Sequence, residues 1–299
     1  MKNRSKILFI GGDARTFAMA DRLRKVYPEA EITMLGAKGS ADTASPEEIQ
    51  SQAKRADILI LPLPLTNDGE NMTVTANGRI QKIPLYPFLE SLPAGKRIFG
   101  GQIPYFYKRL VEECGSTVED YFDSEVVQLK NAVPTAEGAI GVAVSEMPVT
   151  IAGSPIVITG YGRCGNALAV RLRLLGAEVT VAVRRREAQV MAEVDGCHSI
   201  SIRKLQTDPP PCRILFHTVP APILPAETLR KLPTDCILVD LASGSGEELA
   251  NEAEKAGLRY IRASGLPGKT APETAGYILA ESILECLGEH GGESICPKN

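Results

Sequence analysis

Apolar residues run along this chain in short β-branched clusters separated by stretches with helical spacing, from KILFIGG at 6–12 to LRYIRAS at 258–264. Such alternation predicts parallel sheets flanked by helices. In the first part, KILFIGG precedes a helical pattern from Thr16 to Val26, then EITML, DILILPLP, RIFGG and STVEDYF follow as further strands. The second part repeats the scheme with PIVITG (155–160), a helix to Leu175, EVTVAV (178–183), RILFHTVP (213–220), CILVDLAS (236–243) and LRYIRAS.

Between the two parts, SEVVQLKNAVPTAEGAIGVAVSEM keeps helical spacing through one breaker, Pro134, and predicts a long linking helix. The last pattern, APETAGYILAESILECLGE, places Ile278, Leu279, Ile283, Leu284 and Leu287 on one helical face. If that helix returns to the first part, two crossings join the parts. The expected fold is α/β, with two Rossmann-like domains built on parallel sheets. Residues 1–125 and 275–299 form the substrate domain, and 126–274, with the linking helix, form a nucleotide domain inserted into it.

Gly160-Tyr161-Gly162-Arg163-Cys164-Gly165 follows an apolar strand, opens a helix, and is closed into a βαβ unit by EVTVAV. That context, more than the glycines themselves, predicts a dinucleotide site. Gly160 permits the tight turn, Gly162 lets backbone approach a pyrophosphate, and Gly165 allows close helix packing. An NAD site places Asp or Glu at the end of the second strand, where this chain has Arg184-Arg185-Arg186. Guanidinium groups suit a 2′-phosphate, so NADP is the expected cofactor.

Charge and cysteine usage narrow the remaining choices. The 299 residues carry a net charge of −3 with no block of like charge, which argues against nucleic acid as a partner. Seven scattered cysteines, no CxxC and three histidines read as reduced thiols in a cytoplasmic protein, with no metal site expected. The apolar stretch after the basic Met1–Lys6 is too short for a secretory signal or a membrane span.

Ligands of open α/β sheets bind beyond the carboxyl ends of strands. That rule selects Asp13 and Arg15 for a substrate carboxylate, with Asp13 also a candidate helix cap. It selects His217, Val219, Pro220 and Ala242 as cofactor contacts, with His217 also a candidate proton acceptor.

The two-part plan resembles the D-2-hydroxy acid dehydrogenases. Where that family reads Asn-x-Ala-Arg-Gly and Thr-Pro-His, however, this chain has VDLASG and TAPETAG. Ser243 and Glu273 replace the substrate arginine and the catalytic histidine, so that chemistry is not expected here. FIGGDAR, ILPLP, NAVPTAEGAI, GYGRCG, LVDLASGSG and GLPGKTAPETAGYILA, in this order, resemble the family of dipicolinate synthase A subunits of spore-forming bacteria. Members read Asn in an INTIP-type stretch where this chain has His217.

The resemblance implies oxidation of a dihydrodipicolinate-type intermediate of the lysine pathway to pyridine-2,6-dicarboxylate during sporulation, in the mother-cell cytoplasm. It implies the flavoprotein-like B subunit of dipicolinate synthase as partner, and a homo-oligomer is expected. Asp13, Arg15, Thr135, Ser243 and Thr270 are then the candidate ligands of the small dicarboxylate, and Glu137 or His217 the proton acceptor. A stand-alone NADP-dependent oxidoreductase of 2-hydroxy or 2-keto acids, and a non-catalytic NADP-binding scaffold protein, are the alternatives.

Overall fold

Four consecutive buried residues, Ile7 to Ile10, make β1 (Lys6–Ile10) an inner strand of a parallel sheet. It pairs with β2 (Glu31–Leu35) on one side and β3 (Ile58–Ile60) on the other, with Ile7 opposite both Ile32 and Ile58. The hairpin β4 (Asn71–Ala76) and β5 (Arg79–Pro84) pairs only with itself. With β6 (Arg97–Gly100) and β7 (Thr117–Asp120) the sheet order is β2-β1-β3-β6-β7, the flavodoxin-like doubly wound order once the hairpin is set aside. The computed structural model describes residues 5–40, 44–242, 244 and 246–288.

The period of two along β1 sends Leu8 and Ile10 into one apolar cluster and Ile7 and Phe9 into another. Both sheet faces are therefore covered, as a parallel sheet requires. The first cluster takes in Ile49 and Ala53 of α2 (Pro46–Arg55), Met72 and Val74 of the hairpin, Phe88 of α3 (Leu85–Glu90) and Leu110 of α4 (Tyr105–Glu113). The second is built on Met19, Ala20 and Leu23 of α1 (Ala14–Val26).

The chain divides into two compact units, Met1–Asn131 with Ala271–Asn299, and Ala132–Thr270. The division falls inside α5 (Glu125–Glu146), which runs unbroken through Pro134.

The second unit has a six-stranded parallel sheet. Its strands are β8 (Pro155–Thr159), β9 (Glu178–Val183), β10 (His198–Ser201), β11 (Ile214–His217), β12 (Ile237–Asp240) and β13 (Arg259–Arg262), in the order β10-β9-β8-β11-β12-β13. Its helices are α6 (Arg163–Leu174), α7 (Arg186–Val194), α8 (Ile202–Thr207), α9 (Ala226–Leu229), α10 (Gly246–Ala256) and α11 (Leu266–Thr270). Again alternate strand residues serve opposite faces, Ile156 and Ile158 on one side and Val157 on the other.

The last helix, α12 (Pro272–Cys286), belongs to the first unit and adds Ile278, Leu279, Ile283 and Leu284 to the α1 cluster. Gly276 makes the approach to α1 possible, because a Cβ there would stand 2.4 Å from the Arg15 carbonyl oxygen. The second unit is thus inserted in the chain of the first. No helix among the described residues is long and apolar enough to cross a membrane.

Candidate functional site

Parallel register in the second unit aligns Thr159 with Ala182 and His217, and His217 with Asp240. The loops after β8, β9, β11 and β12 therefore emerge at one edge of one sheet. Gly160 leaves β8 with φ +87°, and a Cβ on it would meet Thr218 Oγ1 and Val219 Cγ2 at 2.8 Å. A Cβ on Gly165 would lie 2.3 Å from the Gly160 carbonyl oxygen. Both glycines are thus required by the packing of the turn itself.

Gly162 differs from both. Its φ of −82° suits any residue, open space surrounds its Cβ position, and it stands at the N-cap of α6 without a side chain to cap it. Gly162 itself offers the first N–H groups of α6 no side-chain cap, and a helix N-terminus of this kind suits an anion. The exposed Arg184, Arg185 and Arg186 follow β9 on the neighbouring strand. Arg186 leans on Gln189 at 3.0 Å, while Arg184 and Arg185 have no hydrogen-bond or ion-pair partner among the described residues.

The turn after β1 in the first unit has the same outline and a different filling. Asp13 occupies the N-cap of α1, and its Oδ1 accepts from the Arg15 N–H at 3.0 Å. Arg15 Nε and Nη2 grip the same carboxylate at 2.8 and 2.9 Å, and Nη2 also donates to the Leu63 carbonyl at 2.9 Å. Burial pushes the Asp13 carboxyl up, but Arg15 more than offsets it and holds the acid below its ordinary range. Arg15, expected to be free for a substrate carboxylate, is instead engaged on its own helix cap.

Other selected side chains also find partners inside the fold. Tyr161 donates to Asp195 Oδ2 at 2.5 Å, which with burial raises its pKa and keeps the phenol un-ionised. Thr135 on α5 bonds Cys164, whose thiol is pushed up by burial against the pull of Arg163. Thr270, expected to bond substrate, donates to Leu266 O at 2.8 Å, the usual back-bond of a helical threonine. Glu137 remains exposed, with its carboxylate 4.0 Å from Arg171 Nε. Val219 is half-buried, Pro220 exposed and Ala242 buried. Ser243 lies outside the described residues.

His217 is 1% exposed and lines a pocket with Ala221, Ile223, Glu248 and Glu252. Its Nδ1 lies 2.9 Å from Thr159 Oγ1, which already accepts from the Thr218 N–H at 3.3 Å. Burial lowers the His217 pKa against the opposing pull of Asp240. The lowered basicity counts against a proton-acceptor role, and the Thr159 bonds tie the ring to the Thr218 turn. Because the unfolded chain protonates this histidine more readily than the folded one, stability is full above pH 6.5 and declines as pH falls below it. His217→Asn should flatten that acid limb in unfolding free energies measured across the range.

Asp240 is the site residue that the sequence reading left without a role. Fully buried at the end of β12, it accepts from Arg262 Nη1, from Tyr260 Oη at 3.0 Å and from the Ala242 N–H at 3.0 Å. An acid closing one strand and an arginine closing the next were both visible in the sequence, but only the β12–β13 register pairs them. Among the described residues no group of three or more His, Cys, Asp or Glu side chains is arranged to hold a metal ion.

Residues 6–122 match the family model for the N-terminal domain of the dipicolinate synthase A subunit. The A subunit of dipicolinate synthase from Bacillus subtilis (strain 168) is 29% identical over 290 residues, covering 95% of this chain and 96% of that protein. The crystal structure of the A subunit from Bacillus halodurans superposes with a TM-score of 0.79 at 27% identity, covering 96% of this chain and 98% of that one. The crystal structure of the Bacillus subtilis protein gives 0.76 at 28% identity, covering 95% and 96%. In its first domain by family model, and over nearly its whole length in sequence and fold, this chain is similar to the dipicolinate synthase A subunits.

Proposed function

We propose that the protein is an NADP-dependent oxidoreductase that, as the A subunit of a dipicolinate synthase, oxidises a dihydrodipicolinate-type intermediate to pyridine-2,6-dicarboxylate beside a flavoprotein-like B subunit. The observation that carries the cofactor reading is the uncapped glycine turn at Gly162 with the unpartnered Arg184 and Arg185 on the adjacent strand end. A dinucleotide phosphate needs N–H donors and an open backbone, and a 2′-phosphate needs a cation where an acid would repel it. A nicotinamide held there supplies a hydride acceptor.

In this reading the α6 N–H groups and Gly160 to Gly165 hold the pyrophosphate, and Arg184 and Arg185 hold the 2′-phosphate. Val219, Pro220 and Ala242 bound the rest of the nucleotide along the strand ends, and His217 keeps their turn in place. Aromatisation of the substrate ring releases a proton, for which Glu137 is the exposed carboxylate of this unit proposed as acceptor.

The test is calorimetric titration with NADP and with NAD. Arg184→Ala with Arg185→Ala should weaken NADP by about 10- to 100-fold, roughly 1.4–2.8 kcal/mol, and leave NAD nearly unchanged. Equal losses for both nucleotides would remove the arginines from the 2′-phosphate. Turnover is then read as NADPH absorbance with freshly generated dihydro precursor, with and without the flavoprotein-like partner. Dipicolinate formed only with that partner, and no NADPH, would make this chain the substrate-organising half of a two-protein enzyme.

A further inference from the structure

The first unit holds a cavity of about 480 Å³ that the nucleotide reading does not use. It lies beyond the carboxyl ends of β1, β2 and β3 and is lined by Asp13, Lys38, Asn67, Thr73, Thr75 and Ile80, among others. In the order β2-β1-β3-β6-β7 the sheet reverses its winding between β1 and β3. Doubly wound sheets open their ligand crevice at that reversal.

What lines the cavity is chemically one-sided. Along β4 the buried Met72, Val74 and Ala76 alternate with Asn71, Thr73 and Thr75, so the pleat that anchors the hairpin in the core turns the two threonine hydroxyls outward to the cavity. The side chains of Lys38, Asn67, Thr73 and Thr75 have no hydrogen-bond partner among the described residues. Four polar side chains without a protein hydrogen-bond partner, lining one space beside Pro62, Leu63 and Pro64, have the composition of a small-molecule site.

Charge selects the ligand class. Asp13 is neutralised by Arg15, and Lys38, which forms no ion pair among the described residues, leaves one uncompensated positive charge. A phosphate dianion would bring both of its charges to one point beside the Asp13 carboxylate at the α1 N-terminus, where the helix charge is already answered, whereas an organic acid brings one charge per carboxylate. A flat carboxylate matches one ammonium and two hydroxyls, and the prolines and Ile80 give its carbon body an apolar wall.

We infer that this cavity binds a small carboxylic acid through Lys38, Asn67, Thr73 and Thr75, and so takes the carboxylate-anchoring role for which Arg15 is not free. Its use as the substrate site rests on the oxidoreductase reading above, whereas the binding of the acid does not.

The full chain, without nucleotide, is titrated calorimetrically with pyridine-2,6-dicarboxylate and with the uncharged 2,6-dicarboxamide. The diacid should bind, and the diamide at least tenfold more weakly. Lys38→Met should weaken the diacid tenfold or more, the double variant Thr73→Val with Thr75→Val severalfold, and neither should alter the NADP affinity. No binding of the diacid, or unchanged affinity in both variants, overturns the inference. If the diacid binds through Lys38 and no NADPH ever forms, the pocket stands and the dehydrogenase reading falls. If NADPH forms and Lys38→Met changes neither diacid affinity nor KM, the reverse holds.

Discussion

Gly162→Asp leaves the free protein as stable as the parent, or more stable by about 0.5 kcal/mol, and abolishes nucleotide binding. The stability half follows from the first unit, where Asp13 already occupies the equivalent N-cap with φ −123° and ψ −161°, close to the −82° and −164° of Gly162. An aspartate at 162 meets open space and finds the same uncapped N–H groups. The binding half follows from the proposed cofactor site, since the new carboxylate would occupy and charge the place that proposal gives to the phosphate. Affinity for NADP should fall at least about 100-fold, roughly 2.8 kcal/mol.

Gly165→Val is the contrasting case. Its side chain would have to grow from a point 2.3 Å from the Gly160 carbonyl, so the helix must move and unfolding stability should drop by about 1–3 kcal/mol or more. Urea unfolding and titration calorimetry on the two variants separate a glycine needed by the ligand from a glycine needed by the fold. If Gly162→Asp bound NADP like the parent, the turn would not be a phosphate site.

Asp240→Ala should cost about 1–3 kcal/mol in urea unfolding, since Arg262, a third exposed, keeps partial access to water. The carboxylate is the common acceptor of Arg262, Tyr260 and the Ala242 N–H; Tyr260 keeps a second acceptor in the Gly246 carbonyl at 3.1 Å, so the loss falls on Arg262 and the backbone N–H. Asp240→Asn should recover part of that loss, since an amide oxygen still accepts from Tyr260 and the backbone while the charge on Arg262 stays unanswered. Because Ala242 and His217 lie at the same strand ends, NADP affinity should fall with Asp240→Ala even under conditions where the variant is fully folded. Stability within about 0.5 kcal/mol of the parent would mean that the network is dispensable.

The sequence alone was enough for what depends on local pattern. Buried β-branched runs set the parallel strands, the strand–glycine turn–helix context marked 160–165, and the run of arginines after β9 could be read without coordinates because the position follows directly from the βαβ unit. The hairpin was missed although Asn77-Gly78, both at positive φ, stands between alternating strands and is a strong turn signal. β10 was missed because His198 to Ser201 has one apolar residue in four, too few to carry a period.

Partner choice was beyond the sequence, because a side chain's partner is set by register and packing between distant segments. Nothing local says that Arg15 closes on Asp13 and on Leu63, 48 residues away, instead of on a ligand. Nor does anything local say that His217 is sealed against Thr159 from a strand 58 residues earlier, or that Asp240 meets Arg262 across two strands. The sequence therefore decided which residues reach the ends of the strands. Only tertiary structure decided which of them remain free there, since a charged or polar group buried by folding takes the nearest partner that satisfies it and is then lost to a ligand.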